Sequence, residues 1–370
     1  MSKKKKKSKK VKQENKDKLN IKQILLYFII SRVFLIIFLL LQKENILELY
    51  DSVHYISIAK YGYAKPFLYA FFPMYPMLIK VLSYLIPSYE ISGLFISNIC
   101  SFLSIIILNK LTKDNFWSMT TFIFTPILAY TSIIYTESVF MLFTILGYYL
   151  YKNNKYLLSG IIIGLSMLTR NSGIILWGAI GLDMLYRLFI EKDKTIQFKR
   201  IITFGLPSLI IGLIYSLYLY AETGDFFKYI TVQSEHWHRT TGTVFQCFIN
   251  DIKVLISSKE TLVMNILIFL QNWIFLIFAF ILGIKIFKKD KVSSIYMVLS
   301  LIAFTTSYRD ITYWQTLSSI SLFRYVLNLF PIYLYIYDNK KESINKLIYL
   351  ILILLSTFNT ILIYSGAFLG

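Results

Sequence analysis

The chain contains 370 residues, of which 56% are hydrophobic, 17% are aromatic and only 16% are charged. Its 39 Lys and Arg residues outnumber its 20 Asp and Glu residues and give a formal net charge of +19. Because soluble domains carry about 25% charged residues, this composition excludes an ordinary soluble enzyme. Apolar runs of about 20 residues recur along the whole sequence and predict an all-α, polytopic membrane protein.

The first 20 residues form a separate basic segment, with lysines at positions 3 to 7, 9, 10 and 12. Taken alone, a lysine run of this kind would also suit nucleic-acid binding. Ahead of an apolar span it favours a disordered cytoplasmic tail that contacts anionic membrane lipids, so no nucleic-acid partner is expected. The first apolar stretch is longer than a signal-peptide core and lacks a small-x-small cleavage site, which favours a retained signal anchor.

Hydropathy and loop charge together predict about eleven membrane-spanning helices in one domain at 21–370, with the amino terminus in the cytoplasm. The expected spans are about 23–41, 91–109, 116–134, 138–151, 156–168, 173–189, 201–220, 263–284, 292–308, 323–337 and 347–364. Every short loop assigned to the cytoplasm carries Lys, whereas two longer loops, about 42–90 and 221–262, are expected outside. The apolar segment 67–86 contains two prolines and is expected to be a bent interfacial helix and not a span.

The first outside loop contains the group most typical of a catalytic site, namely Asp51 and His54 followed by Tyr55. Residues three apart share one face of a helix, so the carboxylate and the imidazole would lie side by side. Such a pair can accept a proton from a hydroxyl, or bind a cation or a phosphate. The alternative is a solvated loop with an incidental acid, because an isolated Asp-x-x-His pair is a weak signal.

A second polar group lies in the 221–262 loop and comprises Gln233, His236, His238 and Arg239. Histidines with a nearby carboxylate can bind a divalent metal, but the sequence has no HExxH motif and no Cys/His array. A phosphate site around Arg239 is an equally consistent interpretation. Both interpretations stay open at this point.

Three further charged residues, Glu137, Arg170 and Arg324, are expected at the outside ends of spans. Charges there are costly unless they face water or a partner. Snorkelling to the interface would explain Arg170 without any function, whereas Arg324 could pair with a lipid phosphate or an outside carboxylate. Asp183 is expected near the cytoplasmic end of its span and is interpreted as structural.

Several familiar motifs are missing from the sequence. There is no Walker motif, no GxGxxG and no GxSxG, which disfavours a nucleotide-consuming domain and a lipase. Cys100 falls inside a span and Cys247 in a loop, so no disulfide is expected between them.

Six segments in a fixed order resemble the PIG-V family, the second mannosyltransferases of glycosylphosphatidylinositol assembly, and their bacterial relatives. They begin at positions 50, 71, 135, 168, 223 and 324 and read YDSVHYISIAKYGY, FFPMYPML, YTES, LTRNSG, TGDFF and RYVLNLFP. Two residues depart from the family pattern. Tyr50 stands where the family usually has Trp, and Asn171 stands where Arg-Pro is common, which leaves the role of that turn open.

The resemblance implies a GT-C-type glycosyltransferase that moves mannose from a polyprenyl- or dolichyl-phosphate donor to an exoplasmic lipid or glycan acceptor, with inversion. It makes Asp51 the catalytic base and places Arg239, Arg324 or His54 at the departing phosphate. Such a transfer requires no cofactor and, in principle, no metal. The further substrate-binding residues expected on this basis are Tyr55, Glu137, Arg170, Gln233, His236 and His238.

The main alternative is a multi-pass transporter or flippase for lipids or sugar-lipids, because such proteins have a similar number of spans. Nearly all titratable residues are expected at loop ends, which argues against proton-coupled transport but leaves flipping open. Another donor sugar, or a protein or wall-polymer acceptor, is also consistent with the family. The site would face outward across the plasma membrane in a bacterium, and the lumen of the endoplasmic reticulum in a eukaryote.

Overall fold

The computed structural model describes residues 19–40, 50–112, 115–190, 193–258, 261–314, 316–337 and 342–364. The predicted basic tail at 1–20 lies almost entirely outside these residues, as does the start of the first outside loop. The described chain is predominantly helical, which confirms the expected all-α class.

The first half of the described chain contains eight α-helices and one 3₁₀ helix: α1 (Ile21–Leu40), α2 (Ser52–Tyr61), the 3₁₀ helix (Pro66–Ala70), α3 (Met74–Ser83), α4 (Tyr89–Thr112), α5 (Phe116–Ile123), α6 (Glu137–Lys152), α7 (Tyr156–Met167) and α8 (Gly173–Ile190). The segment predicted as one interfacial helix at 67–86 therefore contains two short helices. Pro66 and Pro76 each lie in the first turn of one of them, where the missing backbone N–H costs little.

The second half contains nine α-helices and two short strands: α9 (Lys194–Thr223), α10 (Lys228–Glu235), β1 (Arg239–Thr241), α11 (Val244–Ser257), α12 (Leu262–Ile286), α13 (Lys291–Thr306), β2 (Ser307–Arg309), α14 (Ile311–Trp314), α15 (Leu322–Leu327), α16 (Pro331–Tyr335) and α17 (Glu342–Tyr364). Strands β1 and β2 pair in antiparallel register. The predicted outside loop at 221–262 is thus largely folded into α10, β1 and α11.

Six helices of the described chain are long and apolar enough to cross a membrane, namely α1, α4, α8, α9, α12 and α17. Helix α9 is an example, because it exposes many large apolar side chains on the surface of the bundle, among them Leu209, Leu213 and Leu217. Lipid is the environment in which such a surface is stable. The protein is an integral membrane protein, and α3, α7 and α13 are shorter apolar helices of the same bundle.

Two of the expected spans are not continuous helices. The segment predicted at 116–134 is helical only in α5, and the chain continues through buried turns that include Pro126. The segment predicted at 323–337 divides into α15 and α16, with Pro331 opening the second helix. Proline removes a backbone donor and interrupts the helical ladder, and non-helical backbone is tolerated at membrane depth where protein surrounds it. Both interruptions lead directly into residues of the candidate site.

Helix α6 connects the two ends of the bundle. It begins at Glu137 and ends at Lys152, so its 16 residues span about 24 Å. Near its last turn, Tyr151 donates a hydrogen bond to Asp183 at 2.5 Å, and the Nε atom of Arg187 donates to the same carboxylate at 2.8 Å. These contacts agree with a structural role for Asp183.

One charged side chain, that of Arg32, lies within a membrane-spanning helix and not at a span end. Arg32 is within α1 and donates from Nη2 to the Oγ of Ser101 on α4 at 2.7 Å. Its guanidinium also lies 4.3 Å from the ring centroid of Phe28. The two cysteines, Cys100 and Cys247, are buried and free, as expected.

The crossing of α7 and α9 depends on a glycine. A Cβ atom at Gly160 would clash with the backbone carbonyl oxygen of Phe204, and the Oγ of Ser208 donates to the Gly160 carbonyl at 2.6 Å. Close approach of two backbones through small residues is a common way to pack membrane helices.

We therefore expect Gly160→Ala to lower the free energy of unfolding by about 1–3 kcal/mol, because a backbone atom cannot yield to the new methyl group. Gly178→Ala is the matched control, since a Cβ atom there meets open space. The control should be neutral or slightly stabilising, because alanine favours helix over glycine. Thermal unfolding in detergent measures both variants, and equal midpoints would contradict this description of the crossing.

Candidate active site

A cavity of about 860 Å³ opens at the end of the bundle where α6 begins. Its polar wall is formed by α2, α6, α10, α15, the two strands and adjoining segments. It contains Asp51, Tyr55, Tyr135, Glu137, Arg170, Gln233, Arg239, Arg309, Arg324 and Tyr325. Its apolar wall is formed by α8, α9 and α13 and contains Ile174, Trp177, Leu209, Leu213 and Phe304. The cavity is therefore amphipathic, with a charged part near the helix ends and an apolar part between spans.

Asp51 is held at the cavity by the segment that precedes α6. Its backbone N–H donates to the hydroxyl of Tyr135 at 3.1 Å, and the adjacent Ser52 donates from Oγ to the carbonyl of Ile134 at 3.2 Å. Tyr50, the preceding residue, has a φ of 49°, which is uncommon for a residue with a side chain. The start of α2 is thus fixed against a buried turn, and the carboxylate faces the cavity.

The surroundings of Asp51 alter its acidity. Burial raises the pKa of the Asp51 carboxyl above its ordinary value, while the positive charges of Arg324 and Arg309 oppose that rise. Burial also lowers the pKa of His54, so its imidazole is held towards the neutral form. A carboxylate with a raised pKa is a better proton acceptor than an exposed one.

Beside Asp51, one buried carboxylate joins two arginines. Glu137 is fully buried, and its Oε1 lies 2.7 Å from Nη1 of Arg170 and 3.4 Å from Nε of Arg324. Within the described part of the chain, Nη1 of Arg324 makes no hydrogen bond, although that side chain is only 6% exposed. The cluster therefore places in the cavity wall a buried guanidinium N–H that no described residue accepts.

Tyr325 lies between the two arginines. The guanidinium carbons of Arg170 and Arg324 lie 4.9 and 5.2 Å from its ring centroid. The guanidinium of Arg324 also lies 4.8 Å from the ring of Tyr130. Contacts between a guanidinium and an aromatic face are attractive, so these rings help to hold the side chains in place.

Two further arginines enter the cavity from the paired strands. Arg239 on β1 and Arg309 on β2 are register partners. Nη2 of Arg239 donates to the carbonyl of Ser307 at 2.6 Å. Arg309 was not identified from the sequence. It lies just beyond the end of an expected span, and a charge at a span end is the signal that identified Arg324.

The segment that carries Arg324 is held from behind by two buried polar residues. Asn272 on α12 donates from Nδ2 to the carbonyl of Ser319 at 2.8 Å and accepts from the N–H of Phe323 at 2.8 Å. Asp251 on α11 accepts from the N–H of Ser319 at 3.1 Å and from the indole of Trp273 at 2.9 Å. Sequence reasoning missed both residues, yet an Asn inside an apolar span is a usable signal, because polar groups there are expensive.

The three histidines expected at the site do not line the cavity in the described structure. His54 lies in an aromatic cluster, 4.9 Å from the ring of Phe71 and 5.7 Å from that of Trp237. His238 stacks on Tyr313 at 3.5 Å, and His236 is exposed. Their direct contact with substrate stays a prediction that the cavity does not support.

The other expected residues, Asp51, Tyr55, Glu137, Arg170, Gln233, Arg239 and Arg324, all line this one cavity. Their chemistry combines a proton acceptor with an excess of guanidinium groups, as a reaction that releases an anion requires. Among the described residues, no group of three His, Cys, Asp or Glu side chains is arranged to hold a metal ion.

Comparison with known proteins agrees with the resemblance. The model of the family "Mannosyltransferase (PIG-V)" matches residues 39–252, more than half of the chain. No curated protein matches the sequence. One solved structure, ArnT from Cupriavidus metallidurans bound to undecaprenyl phosphate, is similar with a TM-score of 0.49 and 10% identity over 95% of this chain and 77% of that one. The family match and the helical structure confirm the expected GT-C-type membrane fold and a glycosyltransferase.

The Glu137 cluster generates a stability prediction. Glu137→Gln should lower the free energy of unfolding by about 3–5 kcal/mol, because it leaves two buried guanidinium groups without their carboxylate. Glu90→Gln is the matched control, since Glu90 and Lys60 also form a 2.7 Å ion pair but are about one third exposed. The control should cost about 0–1 kcal/mol. Similar losses in both variants, measured by denaturant unfolding in detergent, would show that burial of the cluster does not matter.

Proposed function

Because the chain belongs to the PIG-V mannosyltransferase family, we propose that it transfers mannose from a polyprenyl- or dolichyl-phosphate donor to the hydroxyl of an exoplasmic lipid or glycan acceptor. The observation that carries this proposal is the position of Asp51 in the same cavity wall as four arginines. A carboxylate can take a proton there while guanidinium groups neutralise a departing phosphate.

The reaction is a single inverting displacement. The acceptor oxygen attacks the anomeric carbon as Asp51 takes the hydroxyl proton. The bond between that carbon and the phosphate oxygen breaks, and its electron pair leaves with the lipid phosphate. The new bond forms on the face opposite the phosphate, so the anomeric configuration inverts. Arg324, whose Nη1 has no acceptor among the residues that the structure describes, stabilises the charge that develops on the leaving oxygen.

Glu137 has a positioning role in this proposal. It is ion-paired with Arg170 and Arg324, and these contacts assign it to holding the two guanidinium groups. By holding both guanidinium groups it fixes where the phosphate can bind. Preorganised charges of this kind lower the reaction barrier because they need no rearrangement in the transition state.

The amphipathic cavity supports a lipid-linked donor. Leu209 and Leu213 of α9 and Ile174 of α8 line its apolar side, and all three are more than half exposed at the bundle surface. A donor with an anionic head and a long apolar tail would place its phosphate at the arginines and its tail between these helices. A nucleotide-sugar donor has no apolar tail that could occupy this opening.

The cavity is placed on the non-cytoplasmic side in this proposal. The helix ends remote from it carry Lys152, Lys155, Lys285 and Lys288. Basic residues concentrate on the cytoplasmic side of membrane proteins, so these ends are assigned to the cytoplasm. The amino terminus is assigned to that side as well.

Asp51→Asn should lower the rate of mannose transfer by a factor of about 10²–10⁴, because the asparagine amide cannot take the proton from the hydroxyl of the acceptor substrate. The matched control is Asp193→Asn, since Asp193 caps α9 by accepting from the N–H of Ile196 and asparagine caps equally well. Purified protein, labelled polyprenyl-phosphate mannose and a lipid extract provide the assay. Normal turnover by folded Asp51→Asn protein would remove Asp51 as the base.

The raised pKa of Asp51 predicts the pH dependence. The base must be deprotonated, so kcat/KM should fall as pH decreases through the Asp51 pKa, and this limb should lie above the ordinary aspartate value of about 3.9. Initial rates after brief exposure to each pH separate this effect from unfolding. An acid limb at the ordinary aspartate value would contradict a buried carboxylate as the essential base.

A further inference from the structure

A groove of about 480 Å³ opens on the surface of the bundle between the end of α12 and the first half of α13. Helix α13 borders this groove near its first turns and the candidate active site near its last turn, so the two sites lie at opposite ends of the helix. Most of the lining is apolar, and its polar members are two lysines and a serine. The lining residues are Ile284, Lys285, Phe287, Lys288, Ser294, Ile295, Val298 and Leu299.

The groove lies beside a close contact between α12 and α13. The Oγ of Ser294 donates to the carbonyl of Gly283 at 2.7 Å, and a Cβ atom at Gly283 would lie only 3.3 Å from the side chain of Val298. Next to this contact, the side chains of Ile284 and Phe287 remain about half exposed. Exposed apolar side chains of this kind are stable against the acyl chains of lipids. Because the hydroxyl of Ser294 is engaged within the protein, the two lysines are the polar groups that a ligand in the groove meets.

The lysines of this turn fall into two groups. Lys289 lies 4.8 Å from the ring centroid of Tyr335, and Lys291 lies 3.5 Å from the ring centroid of a tyrosine on α8. Both therefore have an aromatic partner within the protein. Lys285 and Lys288, which line the groove, have no hydrogen bond, ion pair or ring contact among the residues that the structure describes. Their ammonium groups are available to a ligand in the groove.

The carboxylate nearest to these two lysines along the chain has other partners. Asp290 is buried and accepts from the hydroxyls of Tyr335 and Ser293, each at 2.7 Å. It also accepts from the hydroxyl of Tyr148 and pairs with Lys152 at 3.8 Å. The groove thus presents two positive charges, unpaired by any carboxylate in the described part of the chain, beside an apolar surface.

We propose that this groove binds a glycerophospholipid of the surrounding membrane whose headgroup has a net negative charge. Its phosphate lies between Lys285 and Lys288, and one acyl chain lies along the apolar lining. Basic pockets between membrane helices recognise anionic headgroups in this way. A zwitterionic phospholipid has the same chains, but the lysines repel its ammonium group, so it binds more weakly. The inference goes beyond the proposed function, since this site is remote from Asp51 and takes part in no step of the transfer.

Contact quenching tests the proposal on the full chain in phosphatidylcholine vesicles. Bimane attached at Ile302→Cys reports on the groove, because Ile302 is exposed and lies one turn of α13 beyond Val298. Cys100 and Cys247 are buried, which directs the label to the new cysteine. Brominated acyl chains quench the label only when they touch it. Half-maximal quenching should therefore require about tenfold less dibrominated phosphatidylglycerol than dibrominated phosphatidylcholine.

Charge variants show whether the groove lysines cause this preference. Lys285→Gln combined with Lys288→Gln should bring the two half-maximal mole fractions to within about twofold, because both ammonium groups are gone. Lys289→Gln is the matched control, since it removes the same charge from the same turn but not from the groove, and it should keep the preference. A label at Leu354→Cys, on an exposed position of α17, reports ordinary lipid contact and should show a preference of no more than about twofold.

The outcomes are decisive in either direction. Equal quenching by the two lipids at position 302, with all native lysines present, overturns the inference. A preference that survives the loss of Lys285 and Lys288, or that Lys289→Gln abolishes equally, also overturns it, because general surface charge then explains the result. Lys285→Arg with Lys288→Arg keeps both charges and should retain the preference. No readout involves mannose transfer, so the inference and the proposed function fail or stand separately.

Discussion

The ion pairs of Glu137 are the interaction on which the site depends. A fully buried carboxylate costs several kcal/mol unless charged partners surround it, and here Arg170 and Arg324 reach it from segments 33 and 187 positions further along the sequence. The pairing fixes the turn before α6, the turn after α7 and the start of α15 relative to one another. Two cations are thereby held in a low-dielectric wall, and among the described residues Nη1 of Arg324 keeps a donor that a bound anion can use.

Segments of irregular backbone position several of the polar side chains that line the cavity. Two membrane helices expected from the sequence are replaced by the segment between α5 and α6 and by the segment around α15. The first carries Tyr135 and leads into Glu137, and the second carries Arg324 and Tyr325. Straight spans would direct such side chains into lipid, where charge is costly. Three of the four non-glycine residues with positive φ in the described chain, Tyr50, His238 and Ser321, occur in the segments that form the cavity wall. Local strain at functional segments is stabilised by the surrounding fold.

Apolar length and loop charge were sufficient to predict the helical membrane class, because both follow from the composition of each segment alone. The sequence also allowed four site residues to be selected, Asp51, Glu137, Arg170 and Arg324. A charge at the end of an apolar span is costly unless it faces water or a partner. Which of them meet could not be predicted, because their contacts depend on tertiary packing. His54 shows this limit, because its spacing predicted a position beside the carboxylate of Asp51 but not its contact with the ring of Trp237. Arg309 carried the same signal as Arg324, but its strand pairing appears only in three dimensions.

The central claim is that a lipid-linked sugar binds with its phosphate at the arginines and its anomeric carbon in front of position 51. Electron cryomicroscopy of Asp51→Asn protein with bound polyprenyl-phosphate mannose tests this most directly. The proposed function predicts phosphate density within hydrogen-bond distance of the cavity arginines and the sugar beside residue 51. Density for the mannosyl phosphate of the donor at the opposite, lysine-rich end of the bundle, near Lys285 and Lys288, would contradict it.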